Sequence, residues 1–368
     1  MIRSHRIRLH PTPEQAVYFA KAVGTSRFVF NWGLAEWKRQ YEAGEKPSAL
    51  ALKKQFNAIK GEQFAWVYEV TKCAMEGAFM DLAIAFKHFF EGRKAGRKVG
   101  FPKFKAKKRS RDGFYIANDK FDVSGHWLKV PKLGLVNMAE KLRFAGKIMS
   151  AHITRSAKWW FVSIAVEIEN QAWVHQQENV GIDLGINRLA TLSDGQWFEN
   201  QKPLRSLLNK VKRLNRALSR KQKGGQNREK ARLRLARLHY QIACIREDYL
   251  HKMTTVLADS YGFIGVESLH VKGMMKNHRL AQALGDAAFG LFGKFLSSKV
   301  AARGGKIQAV GRFYPSSKTC SRSGHIRKDL SLSERVFICP ICHFEMDRDW
   351  NAAINILNEA LRLSAVGL

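Results

Sequence analysis

The sequence predicts an α+β protein of several domains, and three successive regimes of patterning along its 368 residues predict it. Apolar residues recur with a helical period from about residue 12 to 91. Short alternating runs separated by Gly, Asp and Lys turns fill residues 114 to 168, and from Val180 onward buried strands alternate with long helices. The expected architecture is a helical bundle, a β-barrel or sandwich, and an α/β domain.

Ile2 to Leu9 alternates as a strand, and Thr12-Pro13-Glu14-Gln15 offers a capping box with Pro at the first helical position. Val17, Phe19, Ala20 and Val23 then lead to Gly24, and further helical patterns run from Phe28 to Tyr41, Ser48 to Ile59 and Thr71 to Phe90. Because a strand precedes the bundle, the bundle reads as an insertion into the β-domain. The β-rich runs are FYIA, FDVS, WLKVP, LRFA, IMSAHITR and KWWFVSIAVEI. VGIDLGINRLATLSDGQWFEN reads as a buried strand, a tight turn, a second strand and a Ser-Asp-Gly hairpin into a third.

Two basic helices follow with Gly224-Gly225 between them. Leu204, Leu207, Leu208, Val211, Leu214 and Leu218 stripe one, and Leu235, Leu238, Ile242, Ile245 and Tyr249 stripe the other, so a helical hairpin is expected. After it come a buried strand at Phe263 to Val266, a helix from about Leu284 to Ala302 and a strand at Ile307 to Val310. A Cys-bearing insertion and a last helix from Asp349 to about Leu363 complete the chain.

Lys and Arg number 63 against 31 Asp and Glu, and a formal charge of +32 expects a polyanion. Residues 91 to 113 carry net +8 and residues 202 to 237 net +13, together 21 of the 32. Phe101, Pro102 and Phe104 interrupt the first run, as where aromatics stack while cations track a phosphate backbone. Nucleic acid is the favoured partner, with Lys103, Lys105 and Lys107 in the first run and Lys210, Lys212, Arg213 and Arg216 in the second as its contacts. No apolar run approaches the ~18 residues of a membrane span. The amino terminus lacks a secretory apolar core, and five Cys, an odd number, do not suggest an oxidised scaffold. A reducing, cytoplasmic setting without a membrane partner is expected.

Three acids stand where the α/β pattern makes them costly: Asp183 after Val180-Gly181-Ile182, Glu267 after Phe263-Ile264-Gly265-Val266, and Asp349 at the start of the last helix. Converging carboxylates repel, and a divalent metal resolves the repulsion. Mg²⁺ prefers oxygen ligands, so acids at the tips of neighbouring strands suit metal-assisted phosphodiester displacement. The plainer readings are a helix cap for Asp349 and a turn for Asp183. Cys320-Ser321-Arg322-Ser323 and Cys339-Pro340-Ile341-Cys342 have the spacing of paired zinc knuckles, with Ser323 in place of one ligand. Cys320, Cys339 and Cys342 remain for Zn²⁺, with His325 the favoured fourth ligand over His343 or water. Cys73 and Cys244 read as core residues.

With VGIDLG, VES, SSKTCS, CPIC and DRDWNAAINI, and with FVFNWGL and KVGFPKFKAKK in its amino-terminal half, the chain resembles TnpB. TnpB is the OrfB-type protein of bacterial insertion sequences and a relative of type V CRISPR effectors. The resemblance implies a wedge β-barrel domain over 1–11 and 92–179 and a helical recognition domain over 12–91. It further implies a RuvC-like nuclease domain of the RNase H fold over 180–317 and 346–368, with a zinc-ribbon-like insertion at 318–345. It implies an RNA-guided endonuclease that binds a guide RNA from the transposon end. Such an enzyme cleaves double-stranded target DNA beside a short flanking motif, at the nucleoid of a prokaryotic cell. Asp183, Glu267 and Asp349 match its catalytic acids, with Asp347 the competitor of Asp349. A guided binder without cleavage and an unguided transposase or nuclease are the alternatives.

Overall fold

The computed structural model describes residues 1–107, 109–169, 173–175, 177–331 and 333–366. Lys108, in the first basic run, lies outside the described residues. The chain divides into two units, Met1–Glu169 and Asn170–Leu368.

In the first unit, β1 (Ile2–His10) leads into α1 (Pro13–Glu42), α2 (Ala49–Gln63) and α3 (Lys72–Lys94). The Thr12 hydroxyl accepts from the Gln15 N–H, and the Gln15 side chain accepts from the Thr12 N–H, closing the capping box. The expected stop at Gly24 does not occur, and α1 runs through it for 30 residues. Its first half buries Phe19, Ala22 and Val23 in the sheet's core, while its second half buries Val29, Phe30 and Leu34 in the bundle. Burial on both sides offsets the ~1 kcal/mol that a mid-helix glycine costs. One helix thus serves two cores.

Strands β2 (Gly113–Ala117), β3 (Asp122–Ser124), β4 (Trp127–Val130), β5 (Gly134–Met138), β6 (Lys147–Ser156) and β7 (Trp159–Glu167) complete this unit. With β1 they form one antiparallel sheet in the order β2-β6-β7-β1-β5-β4-β3, not the two sheets of a sandwich. Because β1 pairs with β7 and β5, the three helices are an excursion between strands of the same sheet. LRFA (142–145) is not a strand. The Arg143 N–H donates to His5 Nδ1 at 3.2 Å, so a side chain rather than a ladder holds that stretch. The strand is the preceding GLVNM, entered through Lys132 and Gly134 in left-handed conformations.

The second unit begins with β8 (Gln177–Leu184), β9 (Arg188–Leu192) and β10 (Trp197–Glu199), followed by the helical hairpin α4 (Pro203–Ser219) and α5 (Gln226–Ser260). Val211, Leu238 and Ile242 bury the hairpin's seam, whereas Ile245 stays exposed and Tyr249 joins the core beside the sheet. Next come β11 (Tyr261–Glu267), α6 (Val271–Met274), α7 (His278–Ala287), α8 (Phe289–Ala302) and β12 (Lys306–Val310). The single helix expected up to Ala302 is broken at Ala288, which is left-handed (φ 54°, ψ 43°). The break lets Leu284 and Ala287 before it and Phe289 and Phe292 after it enter one core. The sheet order is β10-β9-β8-β11-β12, with β8, β11 and β12 parallel. The hairpin β13 (Val336–Ile338) and β14 (Glu345–Asp347) leads into α9 (Arg348–Val366), which lies across β8, β11 and β12. Among the described residues, no helix is long and apolar enough to cross a membrane.

Candidate functional site

Strands β8 and β11 run in register, with Gly181 beside Gly265 and Ile182 beside Val266, so Asp183 and Glu267 come next on the two strands. Side chains alternate along a strand, and each acid therefore shares a face with the glycine two residues before it. That face receives α9. A Cβ on Gly181 would stand 2.1 Å from the Ala353 carbonyl oxygen, and one on Gly265 would stand 2.8 Å from the Ala360 Cβ. The paired glycines let the helix lie directly on the sheet's backbone, and its first turn places Asp349 near enough to act electrostatically on Asp183, although among the described residues the three carboxylates do not draw within 4.8 Å of one another as the thiols do. Trp350 pins that turn by donating to the Ser193 carbonyl at 3.0 Å and packing over Gly195.

The electrostatics record the convergence. Burial pushes the Asp183 carboxyl well above the usual carboxylate range, and repulsion from Glu267, Asp349 and Asp347 adds to it while Arg348 opposes it. Burial also raises Glu267, against a 2.7 Å hydrogen bond that the Ser316 hydroxyl donates to its Oε1. All three acids keep partial access to solvent. Asp347 acts on the backbone instead, accepting the N–H groups of Asp349 (2.9 Å) and Trp350 (3.0 Å), and it pairs with Arg188 at 3.0 Å. The helix cap is Asp347, which leaves the Asp349 carboxylate available to the cluster. Two desolvated carboxylates with a path to water, and a third near enough to act on Asp183, are a donor set suited to a hard divalent cation.

The three thiols also converge. Cys320, Cys339 and Cys342 have their sulfurs within 4.8 Å of one another, over a small core of Leu330, Phe337 and Phe344. Hydrogen bonding from the Cys342 backbone N–H and then from Ser323 holds the Cys339 thiol down to about 6. His325 does not join this group, a correction to the expected fourth ligand. Its carbonyl accepts the Cys320 N–H at 2.8 Å and its own N–H donates to Ser323 Oγ at 3.4 Å, so the knuckle engages this residue through its backbone. His343 does not join either.

The cation candidates separate into two kinds. Lys210, Lys212, Arg213 and Arg216 on α4, and Lys103 and Lys107 before β2, are exposed and form no ion pair among the described residues. Lys105 is committed internally. Its amine pairs with Asp81 at 2.7 Å and lies 4.1 Å from the centre of the Phe30 ring, and Asn31 bonds its backbone at both N–H and carbonyl.

Four positioning residues escape the sequence reading. Ser316 is one of them, although it stands inside SSKTCS. Asn351 accepts the Ser321 N–H and donates to the Thr319 carbonyl, and Asn355 donates to the carbonyls of Ser316 and Thr319. These two buried asparagines tie α9 to the thiol insertion, and their spacing of four within DWNAAIN was the available signal. Buried Asp286 accepts the N–H groups of Leu204 and Arg205 at the start of α4 and pairs with Arg246 on α5, fixing the basic hairpin.

Comparison with known proteins matches three family descriptions to this chain. They are OrfB_IS605, "Probable transposase", over residues 163–278; "Cas12f1-like, TNB domain" over 289–356; and "Helix-turn-helix domain" over 1–46. The last span holds one strand and one uninterrupted helix here. The chain is 32% identical to the "Putative RNA-guided DNA endonuclease InsQ" of Escherichia coli (strain K12), covering all of this chain and 94% of that one. It is 33% identical to a Streptomyces pristinaespiralis protein of the same description without the InsQ, over 99% of this chain and 91% of that one. Among solved structures, the mini-RNA-guided endonuclease CRISPR-Cas_phi3 has a TM-score of 0.51 at 10% identity, covering 98% of this chain and 92% of that one, a likeness of fold.

Proposed function

The chain belongs to the TnpB family, the OrfB-type proteins of IS605-like insertion sequences, and from that premise we propose that it is an RNA-guided endonuclease cleaving double-stranded DNA beside a short flanking motif. Its guide is an RNA from the transposon end, and its place is the cytoplasm of a prokaryotic cell, at the nucleoid. In this reading, residues 1–11 and 92–179 are a wedge β-barrel domain, residues 12–91 a recognition domain, and residues 180–317 and 346–368 a RuvC-like nuclease of the RNase H fold. Residues 318–345 are its zinc-ribbon-like insertion, with Cys320, Cys339 and Cys342 as zinc ligands.

The observation that carries the reading is the register of β8 and β11, which sets Asp183 and Glu267 at the ends of neighbouring parallel strands with Asp349 near enough to act on Asp183. Asp183, Glu267 and Asp349 would hold Mg²⁺, which when bound supplies charge neutralisation and polarises the scissile phosphate and the attacking water. The chain's own groups do the positioning. Ser316 occupies Glu267 Oε1 and so orients that carboxylate, while Asp347 caps α9 and holds Asp349 on its first turn. The α4 cations contact phosphates of the guide or of its hybrid with the target strand.

Guided binding without cleavage lacks support while all three acids stand together. The test is to sequence the RNA that copurifies with the protein, reprogramme its guide segment, and assay a matched duplex in Mg²⁺. The reading requires cleavage that follows the new guide. Cleavage independent of RNA, or RNA-dependent binding with no cleavage, contradicts it.

A further inference from the structure

The knuckle that has lost its fourth cysteine retains a donor in its place. A tetrahedral zinc with Zn–S of ~2.3 Å requires ligand sulfurs ~3.8 Å apart, and an oxygen ligand at ~2.0–2.2 Å requires S···O edges of ~3.5–3.7 Å. Cys320 Sγ and Cys342 Sγ stand 3.7 Å apart, and Ser323 Oγ stands 3.5 Å from Cys339 Sγ. The Ser323 N–H donates to Cys320 Sγ at 3.4 Å, which turns the loop so that its hydroxyl faces the thiols, and the His325 N–H donates to that hydroxyl from behind. Neither neighbouring histidine competes for the position.

We infer that Ser323 is a metal ligand, and that residues 320–342 form a three-thiolate, one-oxygen site for a thiophilic divalent cation, with the serine oxygen as its fourth donor. Burial divides the site unequally: Cys320 and Cys339 are sealed from solvent, whereas Ser323 is exposed. The oxygen corner is therefore where the metal exchanges. A serine oxygen is a harder and weaker donor to zinc than a thiolate, so this site binds its metal less tightly than a four-thiolate knuckle. Coordination at this corner does not depend on the nuclease reading.

Its test is a Co²⁺ titration of the reduced, chelator-stripped full chain, reading the thiolate-to-cobalt charge-transfer band and the visible tetrahedral bands. Those thiolate bands are blind to cobalt bound at carboxylates. Wild type, Ser323→Cys and Ser323→Ala are compared, with thermal unfolding to confirm that each is folded. Wild type is expected to give a charge-transfer intensity per bound cobalt in the ratio of three to four against Ser323→Cys. Ser323→Ala is expected to bind cobalt ~10-fold or more weakly than wild type, with shifted visible bands. Ser323→Ala with wild-type affinity and spectrum would overturn the assignment of the serine as a ligand. Absence of a thiolate band in wild type, with or without one in Ser323→Cys, would overturn the site and leave the Ser323–Cys339 contact as a plain hydrogen bond.

Discussion

The acid corner and the thiol corner meet the same helix, and they gather their side chains in opposite ways. At the acid corner the backbone does the work: two parallel strands and a helix seated on Gly181 and Gly265 bring Glu267 and Asp349 near enough to act on the Asp183 carboxylate. At the thiol corner the side chains sit at coordination distances within a short loop structure, over a core of a few apolar residues. The burial of carboxylates at the first corner is sustained by the larger sheet core. The second contributes little core of its own, so a metal bound at the thiols would contribute proportionally more to its shape. Asn351 and Asn355 join the two by fastening the thiol insertion to the helix that carries Asp349.

Removing the acids separates the two corners most sharply. Asp183→Ala, Glu267→Ala and Asp349→Ala should each reduce cleavage in Mg²⁺ by on the order of 10³-fold or more while guide and target binding survive. Asp347→Ala acts through the helix cap and should cost less activity and more stability, ~1 kcal/mol. Parallel cleavage and binding assays separate the two behaviours, and full cleavage by any of the first three removes that residue from the cluster.

Gly181→Ala tests whether the backbone sets the geometry. Its Cβ would enter the space of the Ala353 carbonyl, so α9 must lift. Destabilisation on the order of 3 kcal/mol in a denaturant titration is expected, with cleavage lost although every acid is intact. A neutral effect on both would show that the close seating is dispensable.

The acid corner also makes stability depend on pH. Asp183 and Glu267 are both raised, so the fold favours their protonated forms. Their contribution is fully present below the ordinary carboxylate value of ~4 and is lost as pH rises through the elevated folded values. Thermal unfolding in chelator should therefore show these two groups destabilising the protein progressively above pH ~4. Replacing both by their amides should flatten that dependence, and an unchanged profile in the double variant counts against the convergence.

The smallest effects lie on the basic surfaces. Neutralising Lys210, Lys212, Arg213 and Arg216 one at a time should lower the log-log salt slope of RNA binding by ~0.7–0.9 for each phosphate left without its cation. Lys105→Gln should leave that slope unchanged and cost about 1 kcal/mol of stability, because its charge is matched by Asp81. Equal slope changes at both places would mean that Lys105 also reaches phosphate.

Much of this was legible in the residues. The capping box at Thr12 and the succession of strands from Val180 each follow from local chemistry that the fold leaves intact. What was illegible depended on partners remote in sequence. Gly24 reads as a stop because only tertiary burial on both sides carries a helix through it. LRFA reads as a strand because its pattern cannot reveal that His5, over a hundred residues earlier, takes the Arg143 N–H out of the ladder. His325 reads as a ligand by spacing, yet the loop engages its backbone and turns Ser323 toward the thiols instead. Lys105 looks like its neighbours until Asp81 and Phe30 are seen around it.

We propose that Asp183, Glu267 and Asp349 hold a divalent cation, and thermal unfolding of wild type and Asp183→Asn, each with chelator and with Mg²⁺, decides it. Without metal at neutral pH, Asp183→Asn should be the more stable protein, by on the order of 1–3 kcal/mol, because the amide removes the cost of burying a carboxylate there and, with it, the repulsion from the neighbouring acids. With Mg²⁺, wild type should gain stability and Asp183→Asn should gain little. Equal stability of the two proteins in chelator, together with an equal response to Mg²⁺, would place Asp183 outside any cation site.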